Sequence, residues 1–230
     1  MSVSPIILGV DASAGACSVA LSMGDAVIGE QLIEARGHAE ILLDLVDQLL
    51  AQAGLARSQI DAIAYGSGPG GFTGVRVSAG VAQGIAMGLD CPGIALSTLR
   101  IVAASNQIES THACYMLVAL DARMGEVYAQ SFYRQATDPI VLEDISPALL
   151  CLPEALTPPS NDWVGIGNGF LAYPGLASQG VKAQQISAHV MPNIAAAMPL
   201  ARAQYECNAV QAPSDIAPVY LRNQIAKPSV

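Results

Sequence analysis

Basic residues are scarce in this chain. Lysine and arginine together number 10, against 19 aspartates and glutamates, so the formal charge is −9. Proteins that hold nucleic acid unaided present a basic patch, because neutralising phosphates supplies most of the affinity. The sequence contains no cluster of lysines or arginines. If the protein acts on RNA, we therefore expect another molecule to hold that RNA.

Long apolar segments are missing as well. No run of apolar residues approaches the roughly 20 that are needed to span a bilayer. The N-terminus lacks a basic start and meets Asp11 after a short apolar run, which predicts a first strand and not a signal peptide. The five cysteines are scattered and form no Cys-x-x-Cys pair. We therefore expect reduced thiols and a cytoplasmic protein without membrane contacts.

The sequence offers no recognisable set of catalytic residues. Its three histidines, His38, His112 and His189, lack the spacing of a metal-binding motif. Ser67 stands between two glycines, but Tyr65 replaces the first glycine that a nucleophile elbow needs. We therefore expect no catalytic residue and no metal site. A peptidase is a remote alternative, since neither a nucleophile–base set nor a metal pair supports it.

Apolar residues make up 52% of the chain, which is ample for a buried core. Their spacing predicts an ordered succession of strands and helices in the first half. The predicted elements are strands Ile6–Val10, Cys17–Met23 and Ala26–Ile33, a helix at His38–Ala51, strand Ala62–Tyr65, a helix at Gly74–Gly88, strand Ile94–Leu96 and a helix at Leu99–Asn106.

The second half repeats this order. Asp121 closes its first strand, as Asp11 closes the first strand of the chain. Ser146-Pro147 is typical of a helix start, with the serine as N-cap and proline in the first helical position. The other predicted elements are strands Tyr115–Leu120, Glu126–Tyr133, Pro139–Ile145 and Trp163–Ile166, and a helix at Ile194–Cys207.

This repetition predicts a duplicated α/β protein. We expect two βββαβα-type domains with mixed sheets, since antiparallel hairpin strands join partly parallel ones. The strand–hairpin–helix order resembles the duplicated actin/hexokinase-like (ASKHA) fold. We place the N-terminal domain at residues 1–106, the C-terminal domain at 107–215, and a tail that packs back on the body at 216–230.

A glycine-rich segment joins the predicted strand Ala62–Tyr65 to the predicted helix Gly74–Gly88. Its Gly-x-Gly-x-x-Gly spacing suggests a dinucleotide-binding loop. Against this, Pro69 stiffens the turn, the segment lies outside the opening βαβ unit, and Asp90 precedes its strand where a ribose-binding acid should close it. No Lys-Ser/Thr pair ends the glycines, which excludes a Walker A loop. The segment therefore predicts a tight entry into a helix, with Thr73 as a candidate cap.

The helix after this loop carries Gly80, Gly84 and Gly88 at intervals of four residues. An interior glycine costs a helix about 1 kcal/mol relative to alanine. A second backbone packed very close to the helix would offset this cost. The sequence leaves two neighbours open, the predicted helix His38–Ala51 of the same chain or another subunit.

Asp11 is the best single candidate for chemistry, and Ser13 is close to it in sequence. In actin-like ATPases an acid at the end of the first strand helps to position the metal and phosphates. An ATPase or small-molecule kinase that uses Asp11 is therefore the alternative function. The turn Ala12–Ala16 offers one hydroxyl and one glycine, which is a poor cradle for phosphate. Asp11 and Ser13 are the candidate cofactor-binding residues, and a structural or vestigial role is the competing interpretation.

Four blocks of sequence are distinctive, namely Leu8–Ser13, Gly68–Arg76, Leu120–Tyr128 and Pro218–Asn223. Together they resemble the TsaB (YeaZ) family. The likeness extends from about residue 6 to 224, and residues 135–215 match in outline.

The resemblance implies a two-domain actin-like protein of the bacterial cytoplasm that is not itself an enzyme. Its partner would be the catalytic paralogue TsaD, which transfers a threonylcarbamoyl group to the adenosine next to the tRNA anticodon, and the ATPase TsaE would join them. The paralogue binds metal through a His-x-x-x-His motif, whose positions here are Thr98 and Val102. The resemblance therefore implies no cofactor for this chain alone, with ATP and metal belonging to partner subunits and tRNA contacted only indirectly.

The same resemblance assigns the partner interface. In this family the two N-terminal helices contact the paralogue, and a similar face can self-pair into a homodimer. This favours a subunit interface for the glycine-bearing helix. The expected interface residues are His38, Leu42, Leu45, Phe72, Thr73, Arg76, Ala79, Gly80, Gln83 and Gly84.

Overall fold

A five-stranded mixed sheet forms the first half of the protein. The computed structural model describes residues 4–33, 39–106, 113–136, 141–159, 162–178 and 185–222. Strand β1 pairs antiparallel with β2, and β2 with β3, whereas β1 and β4, and β4 and β5, are parallel, giving the order β3-β2-β1-β4-β5. The strands are β1 (Ile6–Asp11), β2 (Cys17–Met23), β3 (Ala26–Ile33), β4 (Ala62–Gly68) and β5 (Gly93–Ser97).

Helices cover both faces of this sheet. They are α1 (Ala39–Ala53), α2 (Phe72–Leu89) and α3 (Thr98–Ser105). Because successive side chains of a strand point to opposite faces, β1 serves two cores. Leu8 and Val10 pack with α1 and α2, whereas Ile7 packs on the side of α3.

The second half contains a sheet of the same design. Its main path runs β8-β7-β6-β10-β11, with β6–β7 and β7–β8 antiparallel and β6–β10 and β10–β11 parallel. An extra short strand, β9, pairs with β7. The elements are β6 (Cys114–Arg123), β7 (Glu126–Arg134), β8 (Leu142–Asp144), β9 (Leu149–Cys151), β10 (Trp163–Ile166), α4 (Gly169–Ala172), β11 (Ile186–Ser187) and α5 (Met198–Glu206).

The two sheets therefore repeat one strand order and one pattern of strand directions. This is the duplicated actin/hexokinase-like arrangement, and the predicted fold class is confirmed. Strands β2, β3 and β10 have the bounds that the sequence predicts. The domain boundaries at residues 106 and 215 stay predictions.

One hydrophobic cluster belongs to both halves. Leu99 and Val102 of α3 share it with Val118 and Phe132 of the second sheet and with Met198 of α5. All five side chains are buried. The two sheets thus rest on a common core, and α3 lies in the cluster that joins them.

The prediction that a helix starts at Ser146-Pro147 is wrong. Residues 149–151 form strand β9, whose Leu150 lies opposite Tyr128 of β7, and a single 3-10 turn follows at Pro153–Ala155. The tertiary pairing with β7 outweighs the local helix-start signal. Within the described part of the second half, no helix corresponds to α1.

Other element bounds differ by a few residues. Helix α1 begins at Ala39, and the predicted start at His38 lies outside the described residues. Helix α2 begins at Phe72 with Gly71 as N-cap, so the prediction that Thr73 caps this helix is wrong. The predicted helix Ile194–Cys207 begins as a 3-10 turn and becomes α-helical at Met198.

The third strand of the second half is also shorter than predicted. It covers Leu142–Asp144, and residues 139 and 140 of the predicted Pro139–Ile145 lie outside the described part of the chain.

Within the described part of the chain, none of the helices combines the length and the apolar character that a membrane span requires.

Candidate functional site

Asp11 ends β1 and is fully buried. Its Oδ1 accepts a hydrogen bond from the Ser13 amide at 3.2 Å, and its Oδ2 has no partner among the described residues. Burial raises the pKa of Asp11 from the ordinary 3.8 to about 6, and hydrogen bonds from Ser13 and Ser78 oppose this rise. The carboxylate is thus closed off inside the first half and does not face solvent.

The hydroxyl of Ser13 is equally enclosed. Thr98 donates its Oγ1 hydrogen to Ser13 Oγ at 2.8 Å, and both side chains are buried. Val102, one helical turn after Thr98, is also fully buried, in the core shared by both halves. The two positions that correspond to a His-x-x-x-His motif are therefore filled by a hydroxyl paired inside the protein and by a core side chain.

The glycine-rich loop packs directly against the β1–β2 turn. The Gly71 amide donates to the Ser13 carbonyl at 2.9 Å. A Cβ at Gly70 or Gly74 would overlap the backbone carbonyl of Ser13 or Ala12, respectively. These glycines permit a close approach of two backbone segments of the same chain. This use is distinct from a cradle for a pyrophosphate, in which the same amides would face the ligand.

A cleft of about 400 Å³ lies between the two halves. It is placed at the carboxyl ends of parallel strands of both sheets, where α/β proteins bind their ligands. The β1–β2 turn and the glycine-rich loop line it from the first half, and Asp121 and Asn168 line it from the second. The chain's own C-terminal segment, residues 219–222, also lines the cleft.

Residues 211–219, which lead into this segment, are held against the first half by hydrogen bonds of buried and half-buried groups. Tyr65 donates its hydroxyl hydrogen to Gln211 Oε1 at 2.8 Å. Gln83 of α2 donates to the carbonyls of Pro213 and Ile216, each at 3.3 Å. The Val219 amide donates to the Ser67 carbonyl at 2.7 Å, at the end of β4.

An exposed stack joins the segment to the beginning of α2. The Arg76 guanidinium lies 3.8 Å from the centroid of the Phe72 ring, and its Nε donates to the Tyr220 hydroxyl at 2.7 Å. The Phe72 and Tyr220 ring centroids are 6.2 Å apart. The guanidinium thus contacts one ring and hydrogen-bonds the hydroxyl of the other, which brings the three side chains together at the mouth of the cleft.

The residues at this cleft do not fit a metal–nucleotide group. Asp11 does not line the cleft. Asp121, the acid that does, accepts from the Tyr173 hydroxyl at 3.3 Å and pairs with Arg123 at 3.1 Å. The described residues contain no cluster of histidine, cysteine, aspartate or glutamate suited to hold a metal ion. Asp11 and Ser13 are thus brought together, with Asp11 enclosed behind the cleft and the buried Ser13 at its wall.

A second candidate site is the outer surface of α1 and α2. The three glycines that recur at intervals of four residues in α2 are exposed, and a Cβ at Gly80, Gly84 or Gly88 would meet nothing within 4 Å in the described residues. Of the two neighbours that the sequence leaves open, α1 of the same chain does not pack closely on these glycines. Leu43 of α1 and Met87 of α2 are exposed beside them, at 45% and 64%. We call this surface of five residues the glycine face.

A groove of about 520 Å³ runs between α1 and α2 at the glycine face. Its lining is mainly apolar, and one exposed ion pair, Asp47–Arg57, stands at its rim. Exposed apolar patches that are rimmed by polar residues mark surfaces that bind a partner. The groove lining comprises Leu43, Val46, Asp47, Arg57, Ile60, Val81, Gly84, Ile85, Gly88 and Leu89.

The structure corrects the predicted contact residues on α1 and α2. Leu42, Leu45 and Ala79 are buried in the core of the first half, so their side chains are not available to a partner. Gln83 is half-buried and bound to the C-terminal segment. His38 lies outside the described residues. Phe72, Thr73, Arg76, Gly80 and Gly84 are exposed.

Sequence reasoning missed Leu43, Met87 and Arg222. A count of residues per turn would have placed Leu43 outside the buried stripe of α1 and facing outward. That stripe consists of Leu42, Leu45, Val46, Leu49 and Leu50. Arg222 stands in a block that resembles the family, but nothing local to the sequence indicates what it contacts.

Comparisons with known proteins agree with this architecture. A model of the family described as "TsaD: tRNA N6-adenosine threonylcarbamoyltransferase" matches residues 32–159. The solved structure of YeaZ from Pseudomonas aeruginosa is 34% identical, covers 94% of this chain and 100% of its own, and superimposes with a TM-score of 0.82.

Two curated relatives match over nearly the whole chain. The tRNA threonylcarbamoyladenosine biosynthesis protein TsaB of Haemophilus influenzae is 35% identical, covering 95% of this chain and 94% of that protein. Its counterpart in Escherichia coli K12 is 33% identical, with 96% of each covered. The TsaD model spans the middle of the chain, whereas these TsaB relatives span both halves. The chain belongs to the TsaB family, whose members take part in the biosynthesis of threonylcarbamoyladenosine in tRNA.

Proposed function

We propose that this protein is a non-catalytic subunit that binds the paralogous threonylcarbamoyltransferase TsaD through the glycine face. In that complex it would support transfer of the threonylcarbamoyl group to the adenosine next to the tRNA anticodon. The observation that carries the proposal is the open space above Gly80, Gly84 and Gly88 on an exposed helix. A glycine-lined helix surface lets a second helix approach more closely than any side chain would permit.

The shape and chemistry of the glycine face suit a helical partner. The groove between α1 and α2 presents apolar surface at its centre, with the Asp47–Arg57 pair at its rim. Stable interfaces have this arrangement of an apolar centre and a polar edge. A paralogue with the same fold would present its own pair of helices, so the contact becomes a packing of helix pair on helix pair. A second copy of this chain would compete for the same surface in the absence of TsaD.

The enclosure of Asp11, Ser13 and Thr98 supports the proposal that this chain performs no turnover of its own. Their polar atoms are paired within the protein, apart from the buried Asp11 Oδ2, and all three side chains are buried. The acidic net charge of −9 supports the further proposal that tRNA is held by the partner. ATP, metal and the ATPase TsaE would then act on the complex and not on this chain alone.

The first experiment is a reconstituted assay of tRNA threonylcarbamoylation. It contains TsaD, TsaE, the enzyme that forms the threonylcarbamoyl-adenylate, tRNA and ATP, with or without this chain. We expect product only when this chain is present, and no Mg-ATP hydrolysis by the chain alone. Equal product with and without the chain would contradict the proposal, and Mg-ATP hydrolysis that disappears in Asp11→Asn would support the kinase or ATPase alternative.

A matched pair of variants tests the glycine face itself. Gly84→Leu fills the space that a partner helix would occupy, and we expect TsaD to bind at least about 100-fold more weakly, or about 3 kcal/mol. Gly175→Leu is the control, because Gly175 is also exposed with nothing within 4 Å of a Cβ in the described residues, but lies in the second half. Titration calorimetry against TsaD measures both. Wild-type affinity in Gly84→Leu would refute the assignment of the interface.

A further inference from the structure

The C-terminal segment crosses from one half of the molecule to the other. We call residues 213–222 the strap. Its first part is anchored in the first half, because Ile216 is buried in the core and packs so closely on Gly93 that a Cβ there would lie 2.6 Å from it. The Ala217 amide donates to the Tyr65 hydroxyl oxygen at 3.4 Å.

The middle of the strap passes over the carboxyl end of β4. The Val219 amide donates to the Ser67 carbonyl at 2.7 Å, and a Cβ at Gly68 would lie 2.7 Å from the Val219 carbonyl oxygen. Gly68 has φ of +103°, a conformation that a residue with a side chain adopts only under strain. The sequence of the glycine-rich loop thus makes room for this backbone contact.

The end of the strap is fastened to the second half by Arg222. Its guanidinium pairs with Glu126 at 2.7 Å and donates to the Ala122 carbonyl at 3.1 Å, both at the β6–β7 turn. The Arg222 and Glu126 side chains are 19% and 29% exposed. A partly enclosed pair of this kind interacts more strongly than a pair in open solvent.

We propose that the strap is a releasable wall of the cleft between the two halves and that the Arg222–Glu126 pair is its latch. The strap lies where an α/β protein would receive a ligand, and it bridges the two sheets at that place. With the latch closed, residues 219–222 form one wall of the cleft of about 400 Å³ and hold the two halves together. With the latch open, residues 219–222 are released and Tyr220 leaves Phe72 and Arg76.

The charged groups around the latch are consistent with this role. Arg123 pairs with Asp121 at 3.1 Å, so it does not compete with Arg222 for Glu126. Arg222 also donates toward the Arg123 carbonyl at 3.5 Å, which adds a backbone contact to the ion pair. Because Coulomb attraction between partly exposed charges is screened by salt, high ionic strength would weaken the latch.

The test is hydrogen exchange of the full chain, read at the Val219 amide. We expect Arg222→Ala and Glu126→Gln each to speed this exchange about tenfold, and the double variant to add little more. The Ile63 amide, bonded to the Pro92 carbonyl at 3.0 Å within the buried first sheet, serves as the internal reference and should not change. High salt should speed Val219 exchange in the wild type but not in Arg222→Ala.

Two controls separate the latch from other causes. Arg57→Ala breaks an exposed ion pair with Asp47 and should leave Val219 exchange unchanged. The charge swap Arg222→Glu with Glu126→Arg should restore slow exchange. Wild-type exchange at Val219 in both single variants would overturn the proposal. An equal rise at Val219 and Ile63 would overturn it too, because it would indicate a loss of global stability and not release of the strap.

Discussion

Asp11 is a buried acid whose ionisation opposes folding. Burial raises its pKa from 3.8 to about 6, so the folded protein binds this proton more tightly than the unfolded chain does. Below the unfolded pKa of 3.8 the carboxyl is neutral in both states and costs nothing. The destabilisation grows as pH rises toward about 6 and stays constant above that value, at about 3 kcal/mol.

We therefore predict that Asp11→Asn stabilises the protein at about pH 8 by about 1–3 kcal/mol and that this gain fades as pH falls through 6 toward 4. Asparagine keeps an oxygen to accept from the Ser13 amide and removes the charge. Urea unfolding at a series of pH values measures the difference from wild type. A loss of stability at high pH would mean that the bonds from Ser13 and Ser78 to the carboxylate outweigh its burial.

Two glycines of α2 have opposite reasons to be glycine. A Cβ at Gly74 would overlap the Ala12 carbonyl, whereas a Cβ at Gly80 would meet nothing within 4 Å in the described residues. We predict that Gly74→Ala lowers the free energy of unfolding by at least about 2 kcal/mol, because the backbone must shift. Gly80→Ala should raise it by up to about 1 kcal/mol, since alanine is the better helix former.

Urea unfolding of the two variants tests this contrast, and binding to TsaD extends it. If Gly80 is retained for a close partner, Gly80→Ala should gain stability and lose affinity together. A variant that gains stability and binds TsaD as tightly as the wild type would show that the partner does not approach at this turn of α2.

At the scale of elements, the sequence predicts best where the hydrophobic period is strong and local. Strands β2 and β3 and the single-tryptophan strand β10 have their predicted bounds. The prediction at Ser146-Pro147 is wrong because pairing of Leu149–Cys151 with β7 is a contact between segments distant in sequence. The apolar period of α1 predicts a helix. Which of its leucines face outward follows only from a count of residues per turn, which places Leu43 outside the buried stripe.

At the scale of the whole molecule, the sequence predicts the duplication but not that the strap lines the cleft between the halves. Contacts of the strap join residues far apart in the chain, such as Arg76 with Tyr220 and Arg222 with Glu126. No periodicity or motif reports such pairs from one sequence. The short apolar run that ends in an acid correctly predicts that β1 ends at Asp11. It gives no information on burial, and burial decides whether a ligand can reach Asp11 and Ser13.

The shared core further predicts that both halves unfold together. The single tryptophan, Trp163, is buried in β10 and reports only on the second half. Ile63 is fully buried in β4 of the first half, so Ile63→Val should lower the free energy of unfolding by about 1 kcal/mol. Ile28→Val makes the same change at an exposed position and is the control.

Chemical denaturation of Ile63→Val, followed by tryptophan fluorescence and by far-UV circular dichroism, tests this coupling. If α3 and its cluster join the sheets into one cooperative unit, the fluorescence midpoint must shift as far as the dichroism midpoint, although the substitution lies in the other half. An unshifted fluorescence transition beside a shifted dichroism transition would mean that the halves unfold separately. A scaffold built of separable halves could not hold α1 and α2 in a fixed position relative to the cleft, so this measurement also bears on how the glycine face is presented to a partner.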